Sequence, residues 1–127
     1  MKNYSRQREA ILSVLKNTKT HPSANAVYEA VRLQIPNISL GTVYRNLAQL
    51  TKNGDIIKIE VGDGFEHFDA DCSFHIHLHC NSCGAIDDLF TKDREVFSLA
   101  TECGFDPEKG ICVLHGMCKN CQSVNTI

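Results

Sequence analysis

The densest chemistry in this 127-residue sequence lies in two short units, Cys80-Asn-Ser-Cys83 and Cys118-Lys-Asn-Cys121. A two-residue spacer lets one turn present both sulfurs to the same ion, so the two units together supply four thiolates for a tetrahedral structural Zn2+. The 34 residues between Cys83 and Cys118 exceed the usual spacing of a zinc ribbon, so the metal is expected to close a folded segment. Two redox dithiols would require a thioredoxin-like βαβ context that this sequence lacks. Cys72, Cys103 and Cys112 are expected to be small buried residues, not ligands.

A second constellation comprises His21, Asp69, His75, His77, His79, Asp87 and Asp88. Mixed imidazole and carboxylate donors suit Fe, Mn, Zn or Ni better than the all-sulfur preference of the first site. Phe74, Ile76, Leu78 and Cys80 alternate with the three histidines, so a strand here puts the imidazoles on one face. At about 3.3 Å per residue, rings at i and i+2 lie about 6.6 Å apart and can converge on one ion, whereas His75 and His79, about 13 Å apart, cannot easily do so. The strand therefore offers either His75 with His77 or His77 with His79.

The elements that must position these groups follow from periodicity and punctuation. Ile11, Val14 and Leu15 share a helix face; Ala24, Val27, Tyr28 and Val31 repeat the pattern after His21-Pro22-Ser23; Leu40, Val43, Leu47 and Leu50 do so again after a Ser39 cap. Ile57, Ile59 and Val61 alternate with Lys58 and Glu60, and Gly62-Asp63-Gly64 supplies a tight hairpin with a return strand near 65–68. Three helices and a hairpin are the order of a winged helix-turn-helix. Beyond a polar segment at 69–73, strands are expected at 74–80, 85–90 and 111–114, with a helix around Val96, Leu99, Ala100 and Cys103. The class is α+β: a winged helix at 1–69, a hinge at 70–74 and a small α/β domain at 75–127.

Net charge is −2, but residues 1–60 hold nine Lys and Arg against four acids, while residues 61–127 hold four against eleven. A basic half suits an anionic polymer, and an acidic half rich in His and Cys suits cations. The third helix turns Thr42, Tyr44, Arg45, Asn46 and Gln49 away from its apolar stripe, with Ser39 at its start. Such side chains suit phosphate and base-edge contacts on DNA. No stretch has the length and apolarity of a bilayer span, and the first residues lead into a charged helical pattern without a signal-peptide core, so a cytoplasmic location is expected.

Several runs together resemble the ferric uptake regulator (Fur) family: Ser5-Arg6-Gln7-Arg8, His21-Pro22-Ser23-Ala24, Thr42-Val43-Tyr44-Arg45-Asn46-Leu47, His75-x-His77 before Cys80-x-x-Cys83-Gly84, and Cys118-x-x-Cys121. The resemblance spans almost the whole chain. It implies a homodimeric, metal-dependent repressor of double-stranded operator DNA, with dimerisation through the second domain. Position by position, it places structural zinc on Cys80, Cys83, Cys118 and Cys121, and a regulatory Fe2+ or Mn2+ on His21, Asp69, His75, His77 and Asp88, with His79 outside the pattern. Asp at both 69 and 88 is similar to the peroxide-sensing (PerR) branch. So is the presence of Phe74, Ile76 and Gly110 where iron sensors carry auxiliary ligands. That branch implies oxidation of His21 or His75 to 2-oxo-histidine, with peroxide as the signal and no other small-molecule substrate. Arg45 resembles the iron-regulator residue instead.

Other classes compete. An iron- or zinc-responsive regulator would share the fold. A zinc hydrolase or nucleobase deaminase would need His-Glu-x-x-His, or His-x-Glu with Pro-Cys-x-x-Cys; His75-Ile-His77 lacks the Glu, and His79 stands before Cys80. No enzyme is expected. A metal buffer would need no recognition helix.

Overall fold

The computed structural model describes residues 2–92, 94–107 and 110–125, without the side chains of 2–5, 124 and 125. The chain divides into two compact units, Met1–Cys72 and Ser73–Ile127. The boundary falls within the 70–74 segment. Helices and strands are mixed in the α+β manner read from the sequence.

The first unit contains α1 (Lys2–Lys16), α2 (Ala24–Val31), α3 (Leu40–Asn53), β1 (Ile57–Glu60) and β2 (Glu66–Asp69). Ser23 and Ser39 start α2 and α3 by accepting the N–H groups of Ala26 and Thr42 at 3.3 and 3.1 Å, satisfying donors that a helix start leaves unpaired. Ile11, Leu15, Val27, Val31, Val43, Leu47 and Leu50 interlock with Ile56 and Phe68 in one buried cluster. Each such side chain contributes about 1.5–3 kcal/mol on burial, which is why three short helices hold together. β1 and β2 pair antiparallel from Ile57↔Asp69 to Glu60↔Glu66. The connection between them turns through Gly62 and Gly64, both at φ +87°, a conformation that costs an L side chain steric strain.

The second unit contains β3 (Ile76–Cys80), β4 (Ile86–Leu89), α4 (Glu95–Glu102), β5 (Cys112–Gly116) and α5 (Lys119–Asn125). β3 is central, antiparallel to β4 and parallel to β5. Among the described residues of this unit the buried apolar side chains are Cys80, Ile86 and Phe97, whereas His75, His77 and His79 are buried beside them. This apolar burial is sparse against the chain entropy of some fifty residues. α5 has no counterpart among the elements read from the sequence. It is short, and its residues Lys-Asn-Cys-Gln-Ser-Val-Asn carry no apolar stripe.

The cysteine expectation needs correction. Cys72 and Cys103 are exposed and Cys112 is half-buried, because Cys103 caps the end of α4 and Cys112 opens the edge strand β5. Partial desolvation and the carboxylates of Asp69, Asp71 and Asp55 push the Cys72 thiol above its ordinary value. Thiolate chemistry is thereby disfavoured there.

Candidate metal centres and recognition helix

The four sulfurs of Cys80, Cys83, Cys118 and Cys121 lie within 4.8 Å of one another. Zn–S bonds of about 2.3 Å in a tetrahedron require sulfurs about 3.8 Å apart; Cys83 Sγ and Cys118 Sγ are 3.8 Å apart. Cys80 ends β3, and the turn carrying Cys83 closes just beyond it at Gly84, φ +81°, whose N–H donates to the Cys80 carbonyl at 2.9 Å. Cys118 stands just before α5, and its carbonyl accepts the Gln122 N–H at 3.0 Å. The second knuckle is thus the first turn of a helix.

The backbone N–H groups of Cys118 and Cys83 point at Cys80 Sγ from 3.3 and 3.5 Å, and they pull its thiol down to about 5. At Cys121 the Ser82 hydroxyl favours the thiolate. Hydrogen bonding with Cys118, burial and the sulfurs of Cys80 and Cys83 outweigh it and push that thiol up to about 12. The Cys80 thiolate forms readily, then, and Cys121 resists. A divalent cation removes that resistance by deprotonating its ligands outright.

The histidine strand resolves the two pairings that spacing left open. His75 Nε2 lies 3.1 Å and His77 Nε2 3.8 Å from Asp88 Oδ1, and their rings are 4.3 Å apart. His77 pairs directly with Asp88 across β3 and β4. Phe90 stacks on His75 at 4.6 Å. The Ser73 carbonyl accepts a hydrogen bond from His75 Nδ1 at 2.8 Å, which leaves the Nε2 lone pair of the neutral ring aimed at the Asp88 carboxylate. Two electron-rich atoms at that distance require a proton or a metal ion between them.

His79 turns elsewhere. Its Nδ1 is 3.0 Å from Nδ1 of His115, its register partner on β5, so one imidazole donates to the other. Asp87 lies on the opposite face of β4 from Asp88, exposed. Neither residue belongs to a cluster of candidate donors among the described residues.

In the first unit, His21 is almost wholly buried and its Nε2 lies 3.2 Å from Asp69 Oδ2 at the end of β2. His21 adopts φ +54°, a left-handed backbone unusual for a residue with a Cβ. Burial of an imidazole against a carboxylate again suits a cation. These donors fit a hard-to-borderline divalent ion such as Fe2+ or Mn2+, and the four thiols fit Zn2+.

α3 presents Ser39, Tyr44 and Arg45 on its exposed side, with Thr42 half-buried. Arg45 Nη2 donates to Thr42 Oγ1 at 3.0 Å, and the Ser39 and Thr42 hydroxyls share a hydrogen bond of 2.9 Å. Asn46 is a correction. Its polar type predicts an outward-facing side chain, but it is 1% exposed, and its Nδ2 donates to the Thr42 carbonyl at 2.9 Å. The reason is its place three residues after Val43 and one before Leu47, inside the apolar sector.

His67 and His115 escaped the sequence reading. His67 stands two residues before Asp69 on β2 and so shares its face, a signal that was present. His115 could be found only through the β3–β5 register.

Residues 2–108 match the model of the ferric uptake regulator family, and the chain belongs to that family. It is 36% identical over 118 residues to the peroxide-responsive repressor PerR of Staphylococcus aureus, covering 91% of this chain and 80% of the relative. The Campylobacter jejuni peroxide stress regulator superposes with a TM-score of 0.80 at 31% identity, over 94% of this chain and 91% of that one. The Helicobacter pylori ferric uptake regulator Fur, whose structure is described as revealing three functional metal-binding sites, gives 0.79 at 27% identity, over 95% and 83%. No helix among the described residues is long and apolar enough to cross a membrane.

Proposed function

We propose that this protein is a metal-dependent transcriptional repressor that senses peroxide, built on structural Zn2+ at Cys80, Cys83, Cys118 and Cys121. In this reading one Fe2+ or Mn2+ recruits His21 and Asp69 from the first unit and His75, His77 and Asp88 from the second. The 70–74 segment is the hinge. The observation that carries the reading is the donor chemistry: in each unit a buried imidazole faces a carboxylate across 3.2 or 3.1 Å, and neither set alone completes the coordination shell of such an ion. Metal occupancy then favours one arrangement of the units by its differential affinity for it.

Homodimerisation through the second unit is part of this reading. Val96 and Leu99 on α4, Leu114 on β5, and Phe105 and Ile111 between those elements are exposed, and β5 is an edge strand. A second copy covering this surface supplies the burial the unit lacks and pairs two recognition helices for a palindromic operator. Ser39, Thr42, Tyr44 and Arg45 make the DNA contacts; Asn46 supports the helix from within.

Held by His21, Asp69, His75, His77 and Asp88, Fe2+ would supply peroxide-activating chemistry that Mn2+ supplies poorly. His21 or His75 would be the oxidised side chain. The peroxide O–O bond breaks, one oxygen joins an imidazole carbon to give 2-oxo-histidine, and the other leaves as water. The modified ring is a poor ligand, so repression lifts. Iron-loaded protein treated with peroxide is expected to gain one oxygen on the peptide carrying His21 or His75, and manganese-loaded protein none. Oxidation confined to cysteines would contradict this. Arg45 favours a second reading, an iron-responsive regulator of the same family; operator binding restored by iron and indifferent to peroxide would select it.

A further inference from the structure

The first unit holds His21 by more than its ring. Pro22 O accepts the Phe68 N–H at 3.1 Å, Ser23 bridges to His67, and the His21 carbonyl lies 2.8 Å from His67 Nδ1. The other nitrogen of His67, Nε2, lies 2.6 Å from Asp63 Oδ2 in the β1–β2 connection. Asp63 Oδ1 accepts the Phe65 N–H at 3.0 Å. Burial works against ionisation of Asp63, but the hydrogen bonds from His67 and the Phe65 N–H prevail and hold its carboxyl below the ordinary value.

Both ring nitrogens of His67 are thus engaged at hydrogen-bond distance, one by a backbone carbonyl and the other by a carboxylate, and its role is mechanical. One end fixes the carbonyl of a residue whose backbone is in the left-handed region; the other fixes the tip of the hairpin. The geometry points to His67 as a positioning residue that ties the hairpin tip, through Asp63, to the backbone of His21. This rests on His21 being a ligand of the regulatory metal, as proposed above. Metal binding at His21 and order in the 62–66 turn are then coupled, and coupling of that kind is reciprocal.

The test uses the full chain with its structural zinc in place and Mn2+ as the probe. Mn2+ affinity is measured by competition titration, and amide hydrogen exchange of the peptide covering 62–66 is followed with and without Mn2+. In the unaltered protein Mn2+ is expected to slow exchange in that turn. His67→Ala is expected to weaken Mn2+ about tenfold, in the range typical of residues that orient a ligand, and to abolish the slowing, with zinc content unchanged. His67→Arg, whose fork can donate to both acceptors, is expected to recover part of both effects, which a purely structural role would not produce. Asp63→Asn carries the same comparison should His67→Ala fold poorly. Turn exchange indifferent to Mn2+, or Mn2+ affinity untouched in both variants, overturns the inference. His21→Ala separates the two levels: full Mn2+ affinity without that imidazole removes the ligand assignment itself, whereas its loss there with none at His67 removes only the coupling.

Discussion

Cys118→Ser is expected to strip the protein of tightly bound zinc and, with it, the folded state of the second unit. Among the described residues of that unit only Cys80, Ile86 and Phe97 are buried apolar side chains, so the metal is expected to carry much of its stability. Apparent binding free energies of about 10–16 kcal/mol for structural zinc at pH 7 match or exceed the roughly 5–15 kcal/mol stability of a whole domain. Loss of one thiolate also removes the nucleus of α5, a seven-residue helix too short to persist alone. Zinc content by elemental analysis, together with hydrogen exchange across 73–125, checks this. Exchange should become fast throughout the second unit while the α1–α3 core keeps its protection. A zinc-free variant with native protection in β3 would contradict it.

Asp88→Ala has the next largest expected effect. Its Oδ1 faces both His75 and His77, so removal deletes the negative charge that draws a cation between them and leaves two buried imidazoles without it. Mn2+ affinity is expected to fall at least about 100-fold, a loss of about 2.7 kcal/mol, with zinc content unchanged. If metal and DNA binding are linked, operator affinity at a fixed sub-saturating Mn2+ level falls with it. Asp88→Asn preserves size but not charge, and should behave like the alanine variant. Retention of Mn2+ affinity by either would remove Asp88 from the ligand set.

Much of this was legible in the sequence because it is local. The Cys-x-x-Cys spacing is a property of one turn, and the stripe Val43, Leu47, Leu50 with its Ser39 cap announces α3 without reference to anything distant. Gly62 and Gly64 mark the hairpin because the turn needs positive φ. What was missed depends on tertiary partners. Asn46 is polar but occupies the core side of α3, so its type misled where its phase did not. The His79–His115 contact exists only once β5 lies parallel to β3. α5 has no periodicity of its own, and its helicity depends on Cys118 and Cys121 being drawn to one point. Cys103 and Cys112 looked like core residues, but they lie on elements left uncovered in the single chain.

In the proposed function one regulatory ion governs DNA binding while zinc only maintains the fold. Fluorescence anisotropy on a duplex selected from a random pool by the manganese-replete protein tests it most directly. The titration is repeated after a mild chelator has removed manganese and elemental analysis has verified that zinc remains. Affinity is expected to fall by at least about tenfold, within the usual range of allosteric coupling, and to return when Mn2+ is restored. Equal affinity with and without the regulatory ion, zinc being retained in both, would contradict the account.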